Sequence, residues 1–136
     1  MRIVFLFRTS RFKSIAPKAN PVNEMIGGEE LASWLAASLR DAGFAAVDPW
    51  AEDHGWDFTI SHENNTYLIV SSRDLDETAE TGGTPEYLLQ VELHRSFLDR
   101  LLGRRQSNRE TDPVVAAVRS ILAQQHDFEI VDEMTV

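Results

Sequence analysis

The chain has 136 residues, 43% hydrophobic and 26% charged, with 22 acidic against 13 basic side chains and a net charge of −9. That size suits one ordinary domain able to bury about two thirds of its unfolded surface, and the composition excludes a disordered chain. The absence of cysteine excludes disulfides, thiolate nucleophiles and cysteine–zinc sites and fits a reducing cytoplasm, while the acidic balance opposes general nucleic-acid binding because phosphates would be repelled.

Ile3–Phe7 is an apolar run of β-branched and aromatic residues that predicts a buried first strand. It is too short to span a membrane, and no small-residue cleavage site follows it at signal-peptide spacing. The connector Arg8–Gly28 holds Pro17, Pro21, Asn20 and Asn23 together with four cations, Arg8, Arg11, Lys13 and Lys18. A loop of that length suits a mobile or functional segment.

Glu29 and Glu30 then open a helix in which Leu31, Trp34, Leu35, Ser38, Leu39 and Ala42 recur at helical spacing, with Gly43 placed to cap its end. Phe44–Val47 begins a strand, and Trp56–Ile60 alternates at period two. Glu63, Asn64 and Asn65 form a tight turn into the strand Thr66–Ser72, giving a β-hairpin. Arg73–Thr84 is polar and contains Gly82-Gly83, which predicts a surface loop. Tyr87, Leu89, Val91 and Leu93 alternate as a further strand. Ser96 can cap a short helix over Phe97–Gly103, and Asp112-Pro113 starts the last full helix, marked by Val114, Val118, Ile121 and Leu122. Phe128–Val131 closes as a strand. The order predicts a single α+β domain over 1–136 in two layers: an antiparallel-rich sheet of five to six strands, with two main helices and one short helix packed on one face.

Charge is distributed unevenly. Asp48 to Glu86 carries ten acidic side chains and one basic, Arg73. Arg8–Lys18 and the group Arg95, Arg100, Arg104, Arg105 and Arg109 hold nine of the thirteen cations. An anionic-ligand site built on Arg8, Arg11, Lys13, Arg104 and Arg105 is one reading of the basic segments. The plainer one is that their cations neutralise surplus carboxylates.

Specific chemistry finds little support. No Gly-x-Ser-x-Gly turn exposes a nucleophile, and Gly27-Gly28 lacks the lysine of a phosphate loop, with Glu29 and Glu30 where the phosphate would lie. Asp53, His54 and Asp57 offer a carboxylate–imidazole set for a metal, but no His-x-x-x-His spacing fixes two imidazoles on one face. No catalytic residue, metal site or cofactor is therefore assigned. Trp34 and Trp56 fall on apolar faces, whereas Trp50 follows a proline in a polar stretch and is the candidate exposed anchor.

Gly28-Glu29-Glu30-Leu31 at the head of a Trp-containing helix, Glu52-Asp53-His54-Gly55-Trp56, Tyr67, and Arg95-Ser96-Phe97-Leu98-Asp99-Arg100-Leu101 together resemble a group of small acidic bacterial single-domain proteins of unassigned function. That group often carries an aromatic residue where this chain has His54, so the resemblance implies no histidine-dependent chemistry and carries over no catalytic residue. Three functional expectations follow. The first is a cytoplasmic, non-enzymatic interaction protein, of inhibitor or immunity type, that meets a basic protein through Trp50, Glu52, Asp53 and Asp57, with no nucleic acid or membrane partner. The second is an anionic-ligand binding domain, and the third a metal-assisted enzyme using Asp53, His54 and Asp57. The sequence leaves partner identity and oligomeric state open.

Overall fold

Alternating apolar side chains along four long strands build one sheet face and decide where the core lies. The computed structural model describes residues 1–12, 20–75, 83–94 and 111–136. In chain order the elements are β1 (Arg2–Arg8), β2 (Ile26–Gly27), α1 (Glu29–Asp41), β3 (Ala45–Ala46), β4 (Trp50–Glu52), β5 (Gly55–His62), β6 (Asn65–Asp74), β7 (Glu86–His94), α2 (Pro113–Ala123) and β8 (Glu129–Thr135). The strands pair antiparallel in the order β3-β5-β6-β7-β1-β8, with β4 also on β5 and β2 on β6.

The register sets Ile3, Phe5 and Phe7 opposite Val91, Leu89 and Tyr87, and continues through Ile69 and Tyr67 to Phe58 and Ile60. All are essentially inaccessible to water. They pack beneath Leu31, Leu35 and Leu39 of α1 and Val114, Val118 and Leu122 of α2, so both described helices cover the same side of the sheet. The opposite side carries Val4, Leu6, Leu68, Val70 and Leu88 among Ser72, Gln90 and Glu92.

Local chemistry fixes the element ends. Glu63 and Asn64 adopt φ of +48° and +65°, the pair of positive values that a two-residue hairpin turn needs to match strand twist. Asp112 is fully buried and accepts the Val114 and Val115 N–H groups, capping α2 just before Pro113. α1 has no side-chain cap. Its entry residue Gly28 has φ +123° and lies so close to Ser71 that a Cβ would stand 2.8 Å from the Ser71 carbonyl oxygen. Ser71 returns the contact by donating its hydroxyl to the Gly28 carbonyl at 2.8 Å.

The architecture is α+β, but the sheet has eight strands rather than the five to six expected. The additions are β2 and β4, of two and three residues, too short for alternation to register. β8 also runs beyond the expected Val131 to Thr135, because Asp132 and Glu133 resemble loop residues although an edge strand can hold them in water. The expected short helix Phe97–Gly103 lies outside the described residues, as do Lys13, Lys18 and the group from Arg95 to Arg109.

Candidate interaction surface

The acidic residues singled out in the sequence lie on the β4–β5 hairpin, at one end of the sheet. Trp50 is 38% exposed, and its indole N–H donates to the Glu52 carboxylate at 2.9 Å, so ring and charge are tied to each other. Asp53 is exposed, and its carbonyl accepts from the Asn23 side chain. Asp57 is only 3% exposed and receives the His54 Nε2 on both oxygens, at 2.9 and 3.0 Å. Burial pushes the Asp57 carboxyl pKa up, opposed by its hydrogen bond to and attraction for His54. The hairpin therefore presents Trp50, Glu52 and Asp53 outward, while Asp57 turns inward as the anchor for an exposed imidazole.

His54 and Asp57 do meet, as the metal reading required, but three ligands do not converge. Among the described residues no group of three histidine, aspartate or glutamate side chains is placed to hold a metal ion.

Two cations of the long connector are committed internally. Arg8 pairs with Glu86 at 3.1 Å. Arg11 grips Asp127 through Nε at 2.9 Å and again through Nη2, reaches Gln125 at 2.8 Å, and lies 4.5 Å from the Phe128 ring centre and 5.3 Å from that of Trp34. Such stacked, two-pronged arginine contacts hold chain segments together and leave little of the guanidinium for a ligand. Arg8 and Arg11 thus act here as ties between sheet and connector, while Lys13, Arg104 and Arg105 fall outside the described residues.

The most exposed apolar strand lies at the other edge. β8 pairs with β1 alone among the described strands, so no described residue pairs with its outer edge. Along it Ile130, Val131 and Met134 are 43%, 42% and 37% exposed. Glu129, Asp132 and Glu133 stand among them, and no lysine or arginine follows Arg119. The Glu133 N–H donates to the Asp132 carboxylate at 2.8 Å, and the Glu133 carboxylate accepts Arg119 of α2 at 2.7 Å. Beneath the strand an apolar hollow of about 210 Å³ opens between Phe5, Leu122, Ala123 and Ile130, with the Arg119–Glu133 pair at its rim. Sequence reading stopped this strand at Val131 and so missed Asp132, Glu133 and Met134. The signal available was the run of Asp127, Glu129, Asp132 and Glu133 after the last basic residue.

No protein-family model matches the chain, and comparison with curated proteins and with solved structures finds no similar one.

Proposed function

We propose that the chain is a non-enzymatic interaction protein that holds an extended basic segment of a partner along β8. The observation that supports this is an open edge strand combining exposed apolar side chains with carboxylates. Unpaired edges offer a row of N–H and C=O groups to another strand, and folded proteins usually blunt them with lysine, proline or a covering element. Here no described residue pairs with the row and acid flanks it, which favours a partner strand bearing lysine or arginine and disfavours a second copy of this acidic chain. The hollow between Phe5, Leu122 and Ile130 has room for one apolar anchor from the partner.

The Trp50 edge is the weaker surface. Glu52 is already engaged by Trp50 and Asp57 is buried, which leaves Asp53 as the one exposed carboxylate of the three with no ion pair among the described residues.

The test is titration with a synthetic peptide of alternating valine and lysine. The Glu129→Lys/Asp132→Lys double variant is expected to weaken binding by about tenfold at low salt, since each exposed pair contributes up to about 1 kcal/mol. The Glu52→Lys/Asp53→Lys variant is expected to bind as wild type does. Equal binding by wild type and the β8 variant would remove the basis of the proposal, and loss confined to the Glu52/Asp53 variant would move the surface to the opposite edge.

A further inference from the structure

Directly opposed residues of paired strands point to the same side of a sheet. Ile130 stands opposite Phe7 and Glu133 opposite Phe5, on the side that the helices cover, whereas Asp132 stands opposite Leu6 and Glu129 opposite Arg8, on the other. The ladder slips between Leu6 and Phe7, which admits Val131 as an extra residue and leaves that assignment unchanged. β8 is therefore two-sided in charge. On the helix side Glu133 is met by Arg119 at 2.7 Å. On the other side both acids, Glu129 and Asp132, are exposed.

Ile130 is out of keeping with its side of the sheet. Phe7, its neighbour across the ladder, is sealed from water, yet Ile130 is 43% exposed. The apolar hollow of about 210 Å³ is the reason, because it separates Ile130 from α2. Phe5 and Leu122, both buried, lie deepest in it; Ala123 and Ile130 flank it, and the Arg119–Glu133 pair closes its rim. All six residues belong to α2 or to the helix-covered side of β1 and β8.

We propose that this hollow selects an aromatic ring, carried by the basic partner segment that lies along β8. The inference rests on the reading of β8 as a docking edge and names the residue that the edge selects. An apolar cavity of about 150 Å³ lined by leucine, isoleucine and phenylalanine takes up benzene, and this hollow, similarly lined, is somewhat larger. A valine there would leave part of the lining without contact. The guanidinium that Glu133 holds at the rim adds a cation, which an aromatic face attracts and an aliphatic side chain does not. On an added strand the residues before and after the ring point to the opposite side, toward Glu129 and Asp132. That side selects lysine or arginine. The segment recognised is thus one aromatic residue between two basic ones.

The test uses the peptide Lys-Val-Lys-Val-Lys-Val-Lys and versions with phenylalanine or leucine as the central residue, titrated by calorimetry into wild type and Ala123→Trp. Ala123 is exposed at the end of α2, so the added indole can fill the hollow without entering the core. On wild type the phenylalanine peptide is expected to bind about tenfold more tightly than the valine one and also more tightly than the leucine one. On Ala123→Trp that gain is expected to vanish. The phenylalanine peptide is further expected to cause ring-current shifts of the Leu122, Ala123 and Ile130 methyl signals of wild type, a readout that decides the location should Ala123→Trp fail to fold. Valine or leucine matching phenylalanine, with the peptides bound, overturns the aromatic anchor and leaves the edge reading standing. A gain that survives in folded Ala123→Trp, or methyl signals that stay unmoved, overturns it too, since the ring then lies elsewhere. Binding of none of the peptides removes the edge reading, and this inference with it.

Discussion

Replacing Tyr67 by phenylalanine removes one oxygen from the middle of the core and leaves the ring in place. That oxygen donates to Asp112 Oδ2 at 2.7 Å, and neither residue is more than 1% exposed. Asp112 Oδ1 accepts the Val114 and Val115 N–H groups, each at 2.9 Å, so a single carboxylate joins the start of α2 to the first half of β6. Without the hydroxyl, Oδ2 loses its partner among the described residues while remaining out of water. A buried acceptor left this way costs about 1–3 kcal/mol. Asp112→Ala forfeits more, because a lost helix cap adds about 0.5–2 kcal/mol to the loss of the tyrosine's carboxylate partner. The double variant is expected to cost less than the sum of the two, with a coupling of about 1–2 kcal/mol. Urea unfolding of wild type, the two single variants and the double variant measures all four corners. Tyr67→Phe within about 0.5 kcal/mol of wild type, or full additivity, would refute the account.

Other consequences are open to measurement. Gly55 has φ +152°, and an added Cβ would lie 2.3 Å from the Ser71 carbonyl oxygen, whereas at Gly43, with φ +94°, nothing lies within 4 Å. Gly55→Ala is therefore expected to lose at least about 2–3 kcal/mol and Gly43→Ala about 1 kcal/mol in thermal or urea unfolding; equal losses would contradict the close-approach argument. Burial raises the Asp57 pKa above its ordinary 3.8 despite His54. The stability it contributes is thus present below 3.8 and lost as pH rises through the folded value, so Asp57→Asn should gain on wild type across that rise. The opposite slope in urea titrations would count against this. The Asp127 pKa is lowered, chiefly by its hydrogen bond from Arg11, so Arg11→Gln should move the Asp127 titration upward when followed by NMR. The Tyr67 pKa is raised, first by burial and then by the hydrogen bond to Asp112, so wild type should lose stability above its ordinary 10.0, with part of that loss absent in Tyr67→Phe.

Elements with strong periodicity or a chemical marker were legible in the sequence. Leu31, Leu35 and Leu39 announced α1, Asp112-Pro113 announced α2, and Glu63-Asn64 announced the β5–β6 turn. β2 and β4 were not, since two or three residues carry no period and exist only because β5 and β6 offer edges to join. Trp50 does emerge part-exposed, yet its link to Glu52 is a two-residue contact that depends on β4 forming. Asp57 looked like one more carboxylate in an acidic run. Its place opposite Val70 in the β5–β6 ladder, a long-range pairing, is what draws it inward. Arg73 was read as part of a surface loop for the same reason: it belongs to β6 through its pairing with Gly27 of β2, which local composition does not reveal.

The position of β1 has a consequence for how the chain reaches its structure. β1 is first in sequence yet sits between β7 and β8, pairing Arg2 with Glu92 on one side and Ile3 with Thr135 on the other. During synthesis the first strand must wait for some ninety residues before one flank is met, and for the last residues of β8 before the other is. Closing loops of that length is slow, and an apolar strand left waiting invites wrong partners. The sheet should therefore close late, only once β8 has been made. Chains halted before β8 would leave the edge of β1 bare and be the form most prone to aggregate.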